Sequence, residues 1–292
     1  WQVSKDYTQK SSEDRGCLAT YDGKKWEVIE RRQYTEVIGP QGVHPTSKGK
    51  NDPVWAIGWD KRSLRLQVME NGKFTTFLLP KGCLNNDASH GWFTEWPRIR
   101  DIDQKDLLMD MHGMFFNFPK DFSSQNCRGL EPIGSHIRYI PDFCFWNGKV
   151  VLATDEASIQ GNPLVGQPQS NLWFGDFEDL KSWGPRNATG SIYLNDRVEG
   201  DVPSDPFLIN GFPQRIVHLV SDRPVTFSLE VDFQGNGQFE KYKKIKTGGY
   251  TSHIFPKDFT GQWIRVLTDK TCNASVSFQF SDDSYRSSAQ ED

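Results

Sequence analysis

Apolar and polar positions alternate along this chain in short runs, and tight-turn dipeptides punctuate them. Asp22-Gly23 separates CLATY from KWEVIERR, Asn71-Gly72 separates SLRLQVME from KFTTFLLP, and Asn147-Gly148 separates IPDFCFW from KVVLATD. Asn-Gly and Asp-Gly supply the two positive-φ residues of a type I′ turn, so each pair predicts a hairpin. A softer turn over Asp103–Asp106 divides PRIRDI from LLMDMHG. After NLWFG, the text FEDLKSW from Asp176–Asp179 onward is the only helix-like stretch. No long amphipathic helix separates the strands, which argues against a doubly wound α/β fold.

The pattern predicts an all-β protein. The turns recur at the spacing of a four-stranded propeller blade, and residues 1–202 read as blades. A β-sandwich with long loops is the alternative. From about Pro203 the lines RIVHLVSD, PVTFSLEVDF, FEKYKKIKT, YTSHIFP, QWIRVLT and ASVSFQF predict a C-terminal antiparallel sandwich or final blade over 203–281. Residues 282–292 are polar and read as a disordered tail. Residues 15–200 hold only four or five hairpin units, fewer than a closed enzymatic propeller uses. The expectation is a small propeller, one lacking N-terminal blades, or one completed by a partner chain, since an unclosed sheet leaves edges to be covered.

Composition narrows the partners. Hydrophobic residues are 36% and aromatics 13%, with 10 Trp and 20 Phe, which suits short strands and sugar-stacking surfaces. A net charge of −4 argues against nucleic acid. No window approaches the roughly 18 apolar residues of a membrane span. The sequence begins at Trp1 without a signal-peptide pattern and reads as a processed or truncated product. Cys17, Cys83, Cys127, Cys144 and Cys272 form no CxxC pair, so one or two disulfides with a thiol left over are expected. Cys144, between Phe143 and Phe145, reads as a buried core thiol. Sequons at Asn187 and Asn273 are compatible with a secreted, extracellular or periplasmic protein.

Candidate chemistry concentrates between residues 90 and 175. His112 lies where an apolar strand meets Gly113, either bonded to backbone or exposed as an acid or base. In SHIRY, strand alternation puts His136 and Arg138 on one face and Tyr139 on the other. Arg suits a carboxylate-bearing substrate, and His moves protons near neutral pH. His90, Trp92, Glu95, Arg98 and Arg100 form a second group, in which Arg98 and Arg100 share a strand face. They are candidate substrate contacts, or else surface ion pairs. Trp92 and Trp96 are stacking platforms or core. Gln167, Gln169, Asn171 and Trp173 provide amides and an aromatic ring that bind sugar hydroxyls or cap a strand. Asp155-Glu156 places paired carboxylates at a strand end.

Acidic loops at Asn195–Asp205 and Asp232–Gly237 invite calcium. The second fails the EF-hand pattern because Lys243 stands where the bidentate Glu belongs, and a hairpin turn explains it better. There is no phosphate loop, nucleophile elbow or HExxH motif. No cofactor is required, and calcium is the one ion left open.

The words EWPRIRDI, LLMDMHGMFFNFP, GSHIRYIPDFCFWNGKVVLATDEAS, GQPQSNLWFG, LKSWGP and PSDPFLI, spread over residues 90–280, resemble a group of secreted proteins of polysaccharide-degrading bacteria. More distantly, they are similar to β-propeller lyases and hydrolases acting on L-rhamnose linked to D-glucuronate. The resemblance implies a propeller with a carbohydrate site. For β-elimination beside a uronate, an Arg such as Arg138 would neutralise the carboxylate. His112 or His136 would remove the C5 proton, and Tyr139 or the other His would protonate the leaving oxygen. A glycoside hydrolase would instead draw two carboxylates from Asp110, Asp142, Asp155 and Glu156. The competing class is a non-catalytic glycan-binding or structural assembly protein, whose partner is a polysaccharide or oligosaccharide.

Overall fold

The computed structural model describes residues 16–40, 42, 52–82, 98–155 and 170–282. They are all-β apart from one 3-10 helix, Phe177–Ser182. The N-terminal part is a series of antiparallel units in chain order. A hairpin of β1 (Leu18–Tyr21) and β2 (Trp26–Glu30) comes first. A meander of β3 (Gln33–Ile38), β4 (Val54–Trp59), β5 (Leu64–Glu70) and β6 (Lys73–Leu79) follows. The second meander is β7 (Arg98–Arg100), β8 (Leu107–Met111), β9 (Met114–Phe118) and β10 (Glu131–Ser135). The third is β11 (Tyr139–Trp146), β12 (Lys149–Asp155) and β13 (Ser170–Gly175).

The second meander is packed between the other two. Met109, Met111, Met114 and Phe116 join a core with Trp55, Ile57 and Leu66 of the first meander. Leu108 and Phe115 point the other way, into a core with Phe143, Val150 and Leu152 of the third. Burial on both faces explains why β8 and β9 read LLMDM and MFFNF, nearly unbroken apolar runs rather than alternating ones.

The C-terminal strands are β14 (Ala188–Val198), β15 (Phe207–Leu208), β16 (Gln214–Ser221), β17 (Val225–Asp232), β18 (Glu240–Thr247), β19 (Tyr250–Ile254), β20 (Trp263–Thr268) and β21 (Cys272–Ser281). One sheet runs β14-β21-β16-β19. Facing it, β18-β17-β20-β15 continues through a parallel pairing of Phe207 with Leu78 into β6-β5-β4-β3, giving eight strands. Alternation is clean here: Val225, Phe227, Leu229 and Val231 point into the core that Val217, Leu219, Val276 and Phe278 complete from the opposite sheet. The expected boundary after residue 202 therefore runs through a sandwich that already includes β14 and shares a sheet with the first meander. Every sheet is open, and no closed ring of blades is seen among the described residues.

Turn geometry follows the dipeptides with two differences. Asn71-Gly72 (φ 50° and 75°) and Asn147-Gly148 (φ 49° and 76°) close two-residue turns. Asp22-Gly23 instead opens a longer loop, in which the Asp22 carboxylate accepts the Lys24 and Lys25 backbone N–H groups. His112-Gly113 (φ 47° and 75°) is a further turn of the Asn-Gly type, joining β8 to β9. The cysteines also differ from expectation. Cys17, Cys127, Cys144 and Cys272 are free thiols, and Cys83 lies outside the described residues. Cys144 is exposed, because alternation turns Phe143 inward and sends its neighbour out.

Candidate functional site

Each meander begins at an open sheet edge: β3, β7 and β11 are all terminal in their sheets. Stacking brings these first strands together, and their polar residues meet. Arg98 and Arg100 share one face of β7, with Ile99 buried on the other. Arg100 Nη1 donates to Glu36 Oε1 on β3 at 2.6 Å. Its Nε and Nη2 face the two oxygens of Asp142 on β11, each at 3.1 Å, a forked pairing. Arg98 Nε lies 3.5 Å from Asp142 Oδ2 and 3.9 Å from Glu36 Oε1. Glu36 is also held by the Ile99 N–H at 2.9 Å. Burial alone would lower the Arg100 guanidinium pKa, but Glu36 and then Asp142 outweigh it and hold the pKa above its ordinary value. The two carboxylates differ in exposure: the Glu36 side chain is 6% accessible and that of Asp142 52%.

The expected His136–Arg138 pair is arranged differently. Residues 136–138 lie between β10 and β11, outside regular strand, so alternation does not govern them. His136 is buried, stacked on Phe115 at 4.4 Å, with Nε2 2.8 Å from Asp110 Oδ1 and Nδ1 3.1 Å from the Arg138 carbonyl. Arg138 is exposed, its guanidinium 5.7 Å from the Trp183 ring centroid. Trp173 is half-buried, its ring 5.1 Å from Trp183 and edge-on, so it is an aromatic wall rather than an open platform.

His112 is fully buried in its turn, 4.8 Å from the Trp59 ring. It is not exposed at a strand end as an acid or base would need to be. Tyr139 begins β11 and Asn171 lies within β13. His90, Trp92, Glu95, Trp96, Gln167, Gln169 and Glu156 lie outside the described residues.

A second ionic network was not anticipated. Arg65 Nη2 meets Glu30 Oε1 at 2.6 Å, Gln67 donates to Glu30 at 2.8 Å, and the Tyr34 hydroxyl donates to the same carboxylate. Asp60 faces Arg62 and Arg65, and Arg62 reaches Asp196 at 2.7 Å. Its one local signal is Arg65 and Gln67 in alternation within LRLQVME. In the loop after β17, the Asp232 carboxylate accepts the N–H groups of Gln234, Gly235, Asn236 and Gly237, which organises the turn. Among the described residues no cluster of three or more His, Cys, Asp or Glu is placed to hold a metal ion. A polar cleft of about 540 Å3 is lined by Asn117, Glu131, Phe177, Lys181 and Arg186 among others.

No family model matches the chain, and no curated protein matches its sequence. Among solved structures it is similar to a mutant of CBM29-2, a family 29 carbohydrate-binding module. The identity is 10%, covering 54% of this chain and 85% of that one, with a TM-score of 0.19. At that score the likeness carries no argument about fold or ligand.

Proposed function

We propose that this chain is an extracellular glycan-binding protein that takes an acidic polysaccharide or oligosaccharide at the Arg98–Arg100 edge. In this reading the three meanders are propeller blades, and their first strands line the site. The supporting observation is the convergence of β3, β7 and β11, which sets two guanidinium groups of neighbouring strand positions side by side at an open edge. Guanidinium forks recognise carboxylates in bidentate fashion, which matches a uronate. Arg138, on the connection between β10 and β11, adds a cation over the Trp183 ring, which follows the 3-10 helix.

Binding is favoured over lyase or hydrolase chemistry because the candidate bases are enclosed. His112 is buried in a turn, and both ring nitrogens of His136 already face protein oxygens. Of the carboxylates considered for a hydrolase, Asp110 is buried against His136 and Asp142 is engaged by Arg100. The test is calorimetric titration with tetragalacturonate, followed in parallel by ultraviolet absorbance. Binding by the native chain, lost in Arg100→Ala, with flat absorbance is the expected result. No binding, or binding untouched by Arg100→Ala, overturns the site. A rise in absorbance from unsaturated uronate would restore the lyase reading.

A further inference from the structure

The two carboxylates on Arg100 are not equivalent. Glu36 is buried and fixed by a backbone N–H as well as by the guanidinium. Asp142 is half-exposed, and besides meeting the arginines it accepts the N–H of the adjacent Phe143. It sits where the β11–β12 register shifts, between Tyr139 and Asp142, so regular pairing does not clamp its backbone on that side. With Asp142 in place the four side chains sum to zero formal charge. With Asp142 swung out, the remaining three side chains sum to one positive charge and the fork is empty.

Resting on the glycan reading above, we propose that Asp142 occupies the seat of the ligand's carboxylate. An acidic sugar then binds by exchanging its own carboxylate for Asp142 on Arg100, while Glu36 holds the guanidinium in position. No bond is made or broken covalently; one forked ion pair replaces another. Asp142 is thereby an internal competitor for the acidic ligand alone. A neutral sugar cannot supply the replacement charge, so it leaves Asp142 on Arg100 and does not compete with it. Apparent acidic affinity is the intrinsic affinity multiplied by the fraction of molecules whose fork is open.

The exchange is tested by titrating tetragalacturonate and its carboxyl-reduced, neutral counterpart into the native chain, Asp142→Asn and Asp142→Ala. Circular dichroism verifies that each variant is folded. If the open fraction is roughly one-tenth, removing the competitor raises affinity for the acidic ligand about tenfold. Affinity for the neutral ligand stays unchanged. In the native chain, the Arg100 Nε–Hε resonance shifts on adding the acidic ligand alone. Equal acidic affinity in the native chain and both variants overturns the exchange while leaving the glycan site standing. Weaker acidic binding in the variants also overturns it, because Asp142 would then be a ligand contact. Binding of neither sugar by any of the three removes both readings.

Discussion

The His136 ring joins the β10–β11 connection to β8 through Asp110, with Nε2 2.8 Å from Asp110 Oδ1 and Nδ1 3.1 Å from the Arg138 carbonyl. Both nitrogens face oxygen acceptors, so the arrangement is complete only with two ring N–H groups, or with the shared proton on Asp110. Both side chains are almost wholly buried. Removing one side chain takes a buried contact from the other. His136→Ala or Asp110→Ala is therefore expected to cost about 3–5 kcal/mol in urea unfolding. An apolar double replacement, Asp110→Leu with His136→Phe, should cost less than either single change. A single-substitution cost below about 1 kcal/mol would mean that the pair organises nothing.

His112 gives a second stability test. A left-handed φ of 47° is easy for Asn and hard for a β-branched residue, and the ring packs on Trp59. His112→Asn should keep the turn and lose the ring's packing on Trp59. His112→Val loses both, and a further ~1–3 kcal/mol should separate the two in thermal or urea unfolding. Neither substitution should alter tetragalacturonate affinity, since the ring does not reach solvent. Equal stability of the two variants would argue against the turn geometry.

How much of this was legible in the sequence depends on the range of the interaction. Asn71-Gly72 and Asn147-Gly148 announced their turns because the dipeptide itself carries the backbone requirement. His112-Gly113 makes the same turn, but His is far less diagnostic of positive φ, so it read as a strand-end histidine, bonded to backbone or exposed as an acid or base. Alternation placed Arg98 and Arg100 on one face correctly. It placed Cys144 outward too, yet the flanking phenylalanines drew attention to the core. Alternation failed for His136 and Arg138, where the strand stops. No local signal tied Glu36 or Asp142 to the arginines, because each lies on a different meander from them and only stacking unites them. The parallel pairing of Phe207 with Leu78, which ties β15 to β6, is non-local in the same sense.

Thiol chemistry separates the cysteines by environment. Burial, and next the nearby Asp232 carboxylate, pushes the Cys127 thiol up to about 12, so almost no thiolate exists at neutral pH. Cys272 is also buried and shifted up, whereas Cys17 and Cys144 are exposed. In a Cys83→Ser background, a maleimide should label Cys17 and Cys144 under native conditions and reach Cys127 and Cys272 only on unfolding. Peptide mass mapping reads the outcome. Native labelling of Cys127, or protection of Cys144, would contradict the packing of β11 and the Asp232 loop.

The Glu30 network predicts how stability responds to acid. Burial alone would raise the Glu30 carboxyl, but the Arg65 charge and hydrogen bonds from Tyr34 and Gln67 outweigh it and hold the group below its ordinary value of 4.5. Asp60 behaves alike: burial is outweighed by Arg62 and Arg65, leaving it below 3.8. A carboxyl with a depressed folded pKa binds its proton more weakly in the folded state than in the unfolded one. Its contribution is thus fully present above the unfolded pKa and is lost as pH falls through the folded value. Asp205 is shifted the other way, chiefly by burial, and partly offsets the loss, because its protonation favours the folded state. Urea midpoints should hold nearly level from pH ~7 to ~5 and then decline towards pH ~3. Glu30→Gln should flatten that decline while lowering stability at neutral pH, since the amide cannot replace the charge opposite Arg65. An unchanged acid profile in Glu30→Gln would show that the pairing with Arg65 adds nothing to the fold.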